Sequence, residues 1–297
     1  MPTLEEVQEV LKEYTKNPSF VFKKCQNSIV VLKKLEDTIT NELRSVANKK
    51  YAKFRGNKFY VEKIIDLITL EDKIQTNNSI HEDKSITYIV GNIIEEKEYD
   101  TKLDRVYGKG IHYFLILERA YYYYIDISNY NGKYSDWDED GQNREMINYK
   151  DGKRNGKCVL WREDGQKYKE CDYKEDIYHG KYEEWYTNGI KRLDCNYKEG
   201  KLDGKYEEWY FTGKKKKECN YKEDVYDGKY EEWYDNGKSK LICFYKNDKY
   251  DGKYQEFYKN GSMKLICHYE NGKRGRRFER GFENGEKRVE SDGSDCD

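Results

Sequence analysis

The sequence has little proline, little histidine and no long apolar run. Two of its 297 residues are proline and four are histidine. No stretch of about 18 apolar residues, the length that a membrane-spanning helix needs, occurs in it. The first ten residues, MPTLEEVQEV, are acidic and lack the pattern of a secretory signal peptide. We therefore expect a protein of the cytoplasm.

Charge of one sign is also missing. Lys and Arg number 56 against 57 Asp and Glu, which gives a formal net charge of −1. Without a large net charge, the chain has no overall field that would draw it to nucleic acid or anionic lipid. Contact with either of those partners would depend on a local cluster of charge.

Residues that usually build catalytic or metal sites are scarce. The histidines show neither the spacing of a metal site nor that of a catalytic triad: His81, His112, His179 and His268. The glycines of YGKGIHYF do not form a phosphate-binding loop. His112 within that segment is the best candidate for chemistry, and we interpret it as a structural residue on an apolar strand. We expect no catalytic residue, no metal and no cofactor, and hence a protein that is not an enzyme.

What the sequence has in abundance is a 24-residue repeat, copied six times without insertion. Each copy opens with a glycine: Gly132, Gly156, Gly180, Gly204, Gly228 and Gly252. Five residues later stands an aromatic residue, and this position holds every tryptophan of the chain: Trp137, Trp161, Trp185, Trp209, Trp233 and, in the sixth copy, Phe257. A fixed period of this kind is the signature of a repeat array.

Each copy is predicted to form one β-hairpin. The first half, KYEEWY in the clearest copies, has the aromatic content of a strand and ends at Asn-Gly or Asp-Gly in five copies. Those dipeptides favour a two-residue type I′ turn. With such a turn, Tyr230 faces Cys243 and Trp233 faces Lys240. A link such as KNDKYD then leads to the next glycine.

Alternation along the strands assigns the side chains to two faces. One face carries Tyr230, Tyr234, Leu241, Cys243 and Tyr245, and the other carries Lys229, Glu231, Trp233 and Ile242. Neither face is wholly apolar, because lysine replaces leucine in some copies. The predicted fold is therefore mainly β: an elongated single-layer antiparallel meander of hairpins, preceded by a small mainly-β domain with an N-terminal helix. A helical solenoid would need apolar residues at three- and four-residue spacing and few Asn-Gly breaks.

Five of the eight cysteines occupy one position of successive copies: Cys171, Cys195, Cys219, Cys243 and Cys267. Two strands separate each from the next, a distance of about 10 Å. This exceeds the Cα separation of about 7 Å that a disulfide allows. We expect buried reduced thiols that face tyrosines.

The first 127 residues lack the repeat and are predicted to form a helix and a compact mainly-β module. The segment from Thr3 to Glu6 has the pattern of a capping box, and the helix that it begins ends near Lys16. Strand-like segments follow it: SIVVLKKL from residue 28, YAKFRGNKFYVEKIIDLI from 51, ITYIVGNIIE from 86, IHYFLIL from 111 and YYYYIDI from 121.

The hairpin array is predicted over residues 128–290, where a degraded seventh copy follows the sixth. Phe278 stands there at a tyrosine position, and Asn284-Gly285 falls at the turn. Basic residues in this copy would protect the strand edge from pairing with other chains: Lys273, Arg274, Arg276, Arg277 and Arg280. Residues 291–297, SDGSDCD, are predicted to be a disordered acidic tail.

The unit GKYxEWYxNGxKxxxCxYKxGxxDG resembles the variant form of the MORN repeat, which occurs in bacterial proteins sometimes described as antitoxins and is abundant in giant viruses. The segments KKYAKFRGNKFYVEKIID and YGKGIHYFLILERAYYY look like a small GIHYF-type module of giant-virus and phage proteins, whose function is unknown. The combination looks like a mimivirus-type protein, which would work in the cytoplasm of the infected host. The resemblance implies a hairpin ribbon with an interaction role and carries no catalytic residue over.

Two candidate sites follow from these patterns. The aromatic positions Trp137, Trp161, Trp185, Trp209, Trp233 and Phe257 suit an extended protein partner, or else form a structural ladder on Lys and Glu side chains. The cluster Arg274, Arg276, Arg277 and Arg280 suits an anionic ligand, or else is a charged cap.

The main functional hypothesis is a non-enzymatic scaffold for protein–protein interaction with an unidentified partner. The alternatives are a phospholipid- or nucleic-acid-binding module that uses the basic C-terminal cluster, and an antitoxin-like protein that neutralises a partner enzyme. No pattern in the sequence specifies the oligomeric state.

Overall fold

The computed structural model describes residues 1–77 and 86–291, so that His81 and the acidic tail from residue 292 lie outside the described residues. The chain is mainly β, as the repeat predicts. It divides into two compact units. Unit 1 comprises Met1–Lys153 and Glu163–Gly165, and unit 2 comprises Arg154–Arg162 and the chain from Gln166 onward. The domain boundary predicted at residue 128 marks the change from the non-repeating sequence to the repeat, and it stays a prediction.

Unit 1 is built on an antiparallel sheet. Its helices are α1 (Leu4–Val10), α2 (Lys12–Thr15) and α3 (Leu117–Tyr122). Its strands are β1 (Phe20–Cys25), β2 (Ser28–Lys33), β3 (Lys53–Gly56), β4 (Lys58–Asp66), β5 (Gln75–Asn77), β6 (Thr87–Ile89), β7 (Ile93–Glu95), β8 (Ile111–Phe114), β9 (Gly132–Trp137) and β10 (Asn143–Lys150). Six of them form one sheet in the order β3-β8-β1-β2-β4-β7, while β5 pairs with β6 and β9 with β10.

The six-stranded sheet is buried on both faces. Along β1 and β2, Val21 and Val30 belong to the core on one face, and Phe22 and Val31 belong to the core on the other face. Helices α1 and α3 contribute to this second core through Val7 and other apolar side chains. Burial on both faces explains why residues 29–32 within the segment SIVVLKKL are continuously apolar rather than alternating. The strand predictions in this region are confirmed up to Phe114.

The predicted capping box is confirmed, and one predicted strand is wrong. Thr3 accepts a hydrogen bond from the Glu6 backbone N–H at 3.3 Å, and Glu6 Oε2 accepts one from the Thr3 N–H at 2.7 Å. The run from Tyr121 to Tyr124, predicted as a strand, instead contains the end of helix α3. Helical spacing places Leu117, Ala120 and Tyr121 in one core, and this packing outweighs the strand propensity of tyrosine.

Unit 2 is an antiparallel meander. Its strands are β11 (Lys153–Trp161), β12 (Lys167–Lys174), β13 (Ile177–Trp185), β14 (Lys191–Lys198), β15 (Lys201–Trp209), β16 (Lys215–Lys222), β17 (Val225–Trp233), β18 (Ser239–Lys246), β19 (Lys249–Tyr250), β20 (Gly252–Phe257), β21 (Met263–Glu270), β22 (Lys273–Arg274), β23 (Arg277–Gly281) and β24 (Lys287–Ser291). Strands consecutive in the sequence pair with one another, except that both β19 and β20 pair with β18, and both β22 and β23 pair with β21.

The Asn-Gly turn differs from the predicted type I′ turn. The Gly237 N–H donates to the Tyr234 carbonyl at 2.9 Å, and the Tyr234 N–H donates to the Lys238 carbonyl at 2.8 Å. Of the two residues of the dipeptide, only Gly237 has a positive φ, +88°. This geometry is a type I turn followed by a left-handed glycine that forms a bulge. The bulge shifts Trp233 opposite Ser239 instead of Lys240, while Tyr230 faces Cys243 as predicted.

A type I′ turn does occur, but between copies, where a link was predicted. Glu223 and Asp224 have φ of 51° and 71°, and the flanking residues Lys222 and Val225 pair directly. The predicted link is therefore wrong: its residues form this tight turn and the start of the next strand. The opening glycine then lies in a β-bulge, with φ of 105° at Gly228. The strained conformation of that bulge explains why glycine recurs there.

The two faces of the array have the composition that alternation predicts. Tyr230 and Cys243 are buried and pack with Leu241 and Tyr245 on what we call the tyrosine face. The opposite side, the tryptophan face, carries the tryptophan together with charged side chains such as Lys229 and Glu231. The cysteines that face tyrosines, such as Cys195, are buried and form no disulfide in the described parts of the chain.

These thiols should make the array sensitive to alkali. Burial raises the pKa of Cys195, Cys219 and Cys243 to about 12, from an ordinary value of 9.0. Between the ordinary pKa and the raised one, the thiols of the unfolded chain lose their protons while those of the folded array keep them. The stability of the array therefore falls as the pH rises. We expect the urea midpoint of unit 2 to fall between pH 9 and pH 11, and the double variant Cys219→Ala/Cys243→Ala to show a smaller slope. A midpoint that is constant over this range would contradict the burial of the thiols.

Candidate functional site

The tryptophan face carries a row of half-buried rings on strands of unit 2: Trp161, Trp185, Trp209, Trp233 and Phe257. Lysine side chains lie against three of these rings. Lys215 Nζ is 6.0 Å from the centre of the Trp209 ring and 5.9 Å from that of Trp233, and Lys167 Nζ is 4.1 Å from that of Trp185. The described tryptophans of this row stack on no other aromatic ring.

Carboxylates on the same face hold these lysines. Lys215 Nζ donates to Glu207 Oε1 at 2.7 Å and also to Glu218. Burial raises the pKa of Glu207, but Lys215 and Lys205 outweigh that effect, and the pKa lies below its ordinary value. Rings and ion pairs therefore alternate along the tryptophan face, and a partner would meet both.

Trp137 is placed differently from the rest of its column. It lies in unit 1, is 5% exposed and stacks on Tyr51 with ring centres 4.5 Å apart. Its carbonyl accepts a hydrogen bond from Arg119 at 2.8 Å, and the Arg119 guanidinium lies 5.6 Å from its ring. The structure thus places five of the six aromatic positions on the tryptophan face and buries the first in the core of unit 1.

The tyrosine face uses its rings against one another. Tyr221, Tyr226, Tyr245 and Tyr250 follow one another with centre-to-centre distances of 4.6, 5.0 and 4.6 Å. Lys217 Nζ donates to the Tyr226 hydroxyl at 2.7 Å. Stacked rings expose edges rather than faces, so that this side of the array offers less aromatic surface to a partner.

The C-terminal arginines do not form one patch. Arg274 and Arg280 both lie against the Phe278 ring, 4.2 and 5.8 Å from its centre. Arg277 neighbours Phe278 along β23 and therefore points to the opposite face. Arg276 is exposed and occupies the position of the opening glycine. A cleft of about 370 Å³ opens beside Arg274, lined by His268, Glu270, Asn271, Lys273, Arg274 and Gly275.

The described histidines show no metal site. His112 Nε2 lies 3.0 Å from the Val106 carbonyl oxygen, which agrees with a structural role. In the parts of the chain that the structure describes, no group of three or more His, Cys, Asp or Glu side chains is arranged to hold a metal ion. Sequence reasoning missed Cys158, which faces Cys171 directly across β11 and β12. The signal was present, since Cys158 stands at a position where later copies have tyrosine.

Within the described residues no helix is both long and apolar enough to cross a bilayer. The fold and its faces define unit 2 as an array of β-hairpin repeats that presents alternating aromatic and charged side chains.

The comparisons with known families agree with this class. The family described as the MORN repeat variant matches residues 178–199, 202–223, 226–247 and 250–271, each stretch following a turn between copies. A family of unknown function, DUF5758, matches residues 11–120, within unit 1. No curated protein matches the chain. MORN repeats in general bind proteins or membranes and are not enzymes.

Proposed function

We propose that the protein is a non-enzymatic scaffold whose tryptophan face binds an extended segment of a partner protein. The observation that supports this most is the row of half-buried rings, three of which, Trp185, Trp209 and Trp233, lie against lysine side chains rather than against other rings. A partner can displace such a lysine at a cost of about 0.5–1 kcal/mol per cation–π contact. The same partner gains contact with tryptophan, the residue most enriched at binding hot spots.

The spacing of the row supports an elongated occupant. Successive rings belong to successive copies, and two strands at about 4.8 Å each separate them by about 10 Å. The carboxylates that hold the lysines, such as Glu207 and Glu218, lie between the rings. They would pair with basic groups of a partner once the lysines move aside.

The test compares three forms of the full chain as bait from the native cell or infected host, with mass spectrometry of what they retain. In one variant Trp185, Trp209 and Trp233 become serine, and in its matched control they become phenylalanine, which Phe257 shows to fit this position. We expect the serine variant to lose a partner that the phenylalanine variant keeps, by tenfold or more in retained amount. Circular dichroism must show that both variants are folded. Equal retention by all three forms would place the partner elsewhere and refute the proposal.

The alternative of an anionic ligand is tested by comparing the parent chain with a second variant. Arg276 and Arg277 are exposed and form no ion pair with another described residue, so that they are the side chains that would contact phosphate. In the double variant Arg276→Glu/Arg277→Glu, loss of binding to phosphatidylserine vesicles or to single-stranded RNA would favour this alternative. Unchanged binding, or no binding by the parent chain, would count against this alternative.

The finer assignments stay predictions. They are the cytoplasmic location, the giant-virus origin and the antitoxin-like role, and no contact among the described residues favours the last of these. The array limits of 128–290 are also proposed from the repeat pattern alone.

A further inference from the structure

The first hairpin of unit 2 contains a pair of thiols that the other copies lack. Cys158 on β11 and Cys171 on β12 are direct partners in the register, and they are 2% and 1% exposed. In the next copies the cysteine of the second strand faces a tyrosine instead, as Cys195 faces Tyr182. The two thiols are also close enough to form a hydrogen bond with each other.

The strand geometry sets the distance between the two side chains. Cys243, the corresponding cysteine of a later copy, shows how the backbone is oriented. The carbonyl of its neighbour Phe244 accepts a hydrogen bond from the Asp251 N–H and therefore points toward the following strand. The backbone N–H and C=O of Cys243 then point toward the preceding strand. By the same alternation Cys158 and Cys171 form a hydrogen-bonded pair, with Cα atoms about 5.5 Å apart. Their Cβ atoms then lie at the wide end of the usual range, about 5.5 Å. A disulfide needs a Cβ separation of about 3.5–4.5 Å, so it would require the backbone to move.

A Cβ separation of about 5.5 Å leaves room for an ion between the two sulfurs. Metal–thiolate bonds of about 2.3 Å place two sulfurs about 4.6 Å apart when the ion lies between them. Thiolates select soft ions such as Cu(I). Two thiolates and one monovalent ion carry a net charge of −1, which a buried site must compensate.

Two cations supply this compensation, and they occur in the copy that has both thiols. Lys169 lies on β12 two residues before Cys171, and therefore on the same face of the sheet. Arg154 donates to the Tyr173 hydroxyl at 3.0 Å, with its guanidinium 4.2 Å from that ring. It also interacts electrostatically with Cys158. Later copies carry other residues at the Arg154 position, namely Tyr178, Leu202, Tyr226 and Tyr250.

A carboxylate near the pair offsets part of this charge. Asp176 forms an ion pair with Arg154 at 2.8 Å, which also fixes the position of the guanidinium.

We propose that Cys158 and Cys171 form a two-coordinate site for a soft monovalent metal ion, with Cu(I) as the natural candidate. On binding, each thiol loses its proton to solvent and each sulfur donates an electron pair to the ion, so that no oxidant or reductant is consumed. Lys169 and Arg154 act as positioning residues that neutralise the complex.

The experiment is an anaerobic titration of the full chain with Cu(I) against a competing chelator, with native mass spectrometry for stoichiometry. Every sample carries Cys296→Ser, which removes a thiol outside the described residues. We expect one tightly bound ion per chain, and none in Cys158→Tyr, which restores the residue that later copies have. Cys195→Ser, which removes a thiol facing a tyrosine, should bind as the parent does. Lys169→Leu introduces the leucine that other copies have at positions 193, 241 and 265. It should weaken Cu(I) binding by about tenfold.

Several outcomes would overturn the proposal. They are no binding by the parent, full binding by Cys158→Tyr, or equal loss in Cys195→Ser. Incubation with oxidised glutathione provides a further check. If the folded parent chain loses the mass of two hydrogens, the two thiols are close enough to form a disulfide without backbone movement, which would contradict the separation on which the metal site rests. Should Cys158→Tyr fail to fold, Cys158→Ser replaces it with the same expected loss.

Discussion

Replacing Arg55 with leucine should destabilise unit 1 by about 3–5 kcal/mol, the effect expected when one partner of a buried polar cluster is removed. Arg55 has no exposed surface. Its Nε donates to the Arg105 carbonyl at 2.8 Å and its Nη1 to the Lys109 carbonyl at 3.3 Å. Further hydrogen bonds reach the carbonyls of Asp100 and Lys102.

The size of this effect follows from what the leucine would leave behind. The guanidinium holds the segment from residue 100 to residue 109 through its carbonyl groups, and its Cζ lies 5.0 Å from the Tyr99 ring. Each carbonyl that loses a charged donor without reaching water costs about 1–3 kcal/mol. The segment should therefore detach, and limited proteolysis should cut it at least tenfold faster than in the parent chain.

Arg105→Leu is the matched control. It makes the same substitution in the same segment, but the Arg105 side chain is 62% exposed and pairs with Asp100 at 3.2 Å. An exposed pair of this kind contributes about 0–1 kcal/mol. Urea unfolding followed by near-UV circular dichroism should separate the two variants clearly. Similar midpoints for both would mean that Arg55 does not hold the segment.

The repeat made the array predictable, but it did not determine the turns. Asn-Gly fits a type I′ turn on local preference alone, yet Asn236 has a second partner, the Lys259 carbonyl of the next copy at 2.7 Å. Its Oδ1 also accepts from the Lys238 N–H at 2.9 Å. These bonds suit the type I conformation, and one of them joins neighbouring copies. A contact between copies is invisible when a single copy is considered.

The non-repeating region shows a second limit of sequence reasoning. The capping box at Thr3 is local chemistry and could be read directly. The buried cations Arg55 and Arg119 could not be predicted, because arginine usually lies at the surface and their partners are far along the chain. For the candidate site, alternation placed Trp233 on the correct face, whereas the burial of Trp137 depends on Tyr51, a residue of the non-repeating part.

Gly141→Ala should destabilise unit 1 by several kcal/mol, whereas Gly189→Ala should cost unit 2 only about 1–2 kcal/mol. The two glycines occupy the same turn position of their copies, with φ of 81° and 79°. A Cβ on Gly189 would meet nothing within 4 Å. A Cβ on Gly141 would lie 2.1 Å from the Asn48 carbonyl oxygen and 2.6 Å from the Ala52 nitrogen, all within unit 1.

Because φ is matched, the strain of a left-handed alanine is common to both variants. The difference between the losses of stability in the two variants therefore measures the backbone clash at Gly141 alone. The Asn48 N–H donates to the Asp140 carbonyl at 2.9 Å, so that the segment around Asn48 would lose this bond if it moved away. Hydrogen exchange should show the Asn48 and Ala52 amides unprotected in Gly141→Ala and unchanged in Gly189→Ala. Equal costs for the two substitutions would mean that the turn of the first hairpin does not pack against this segment.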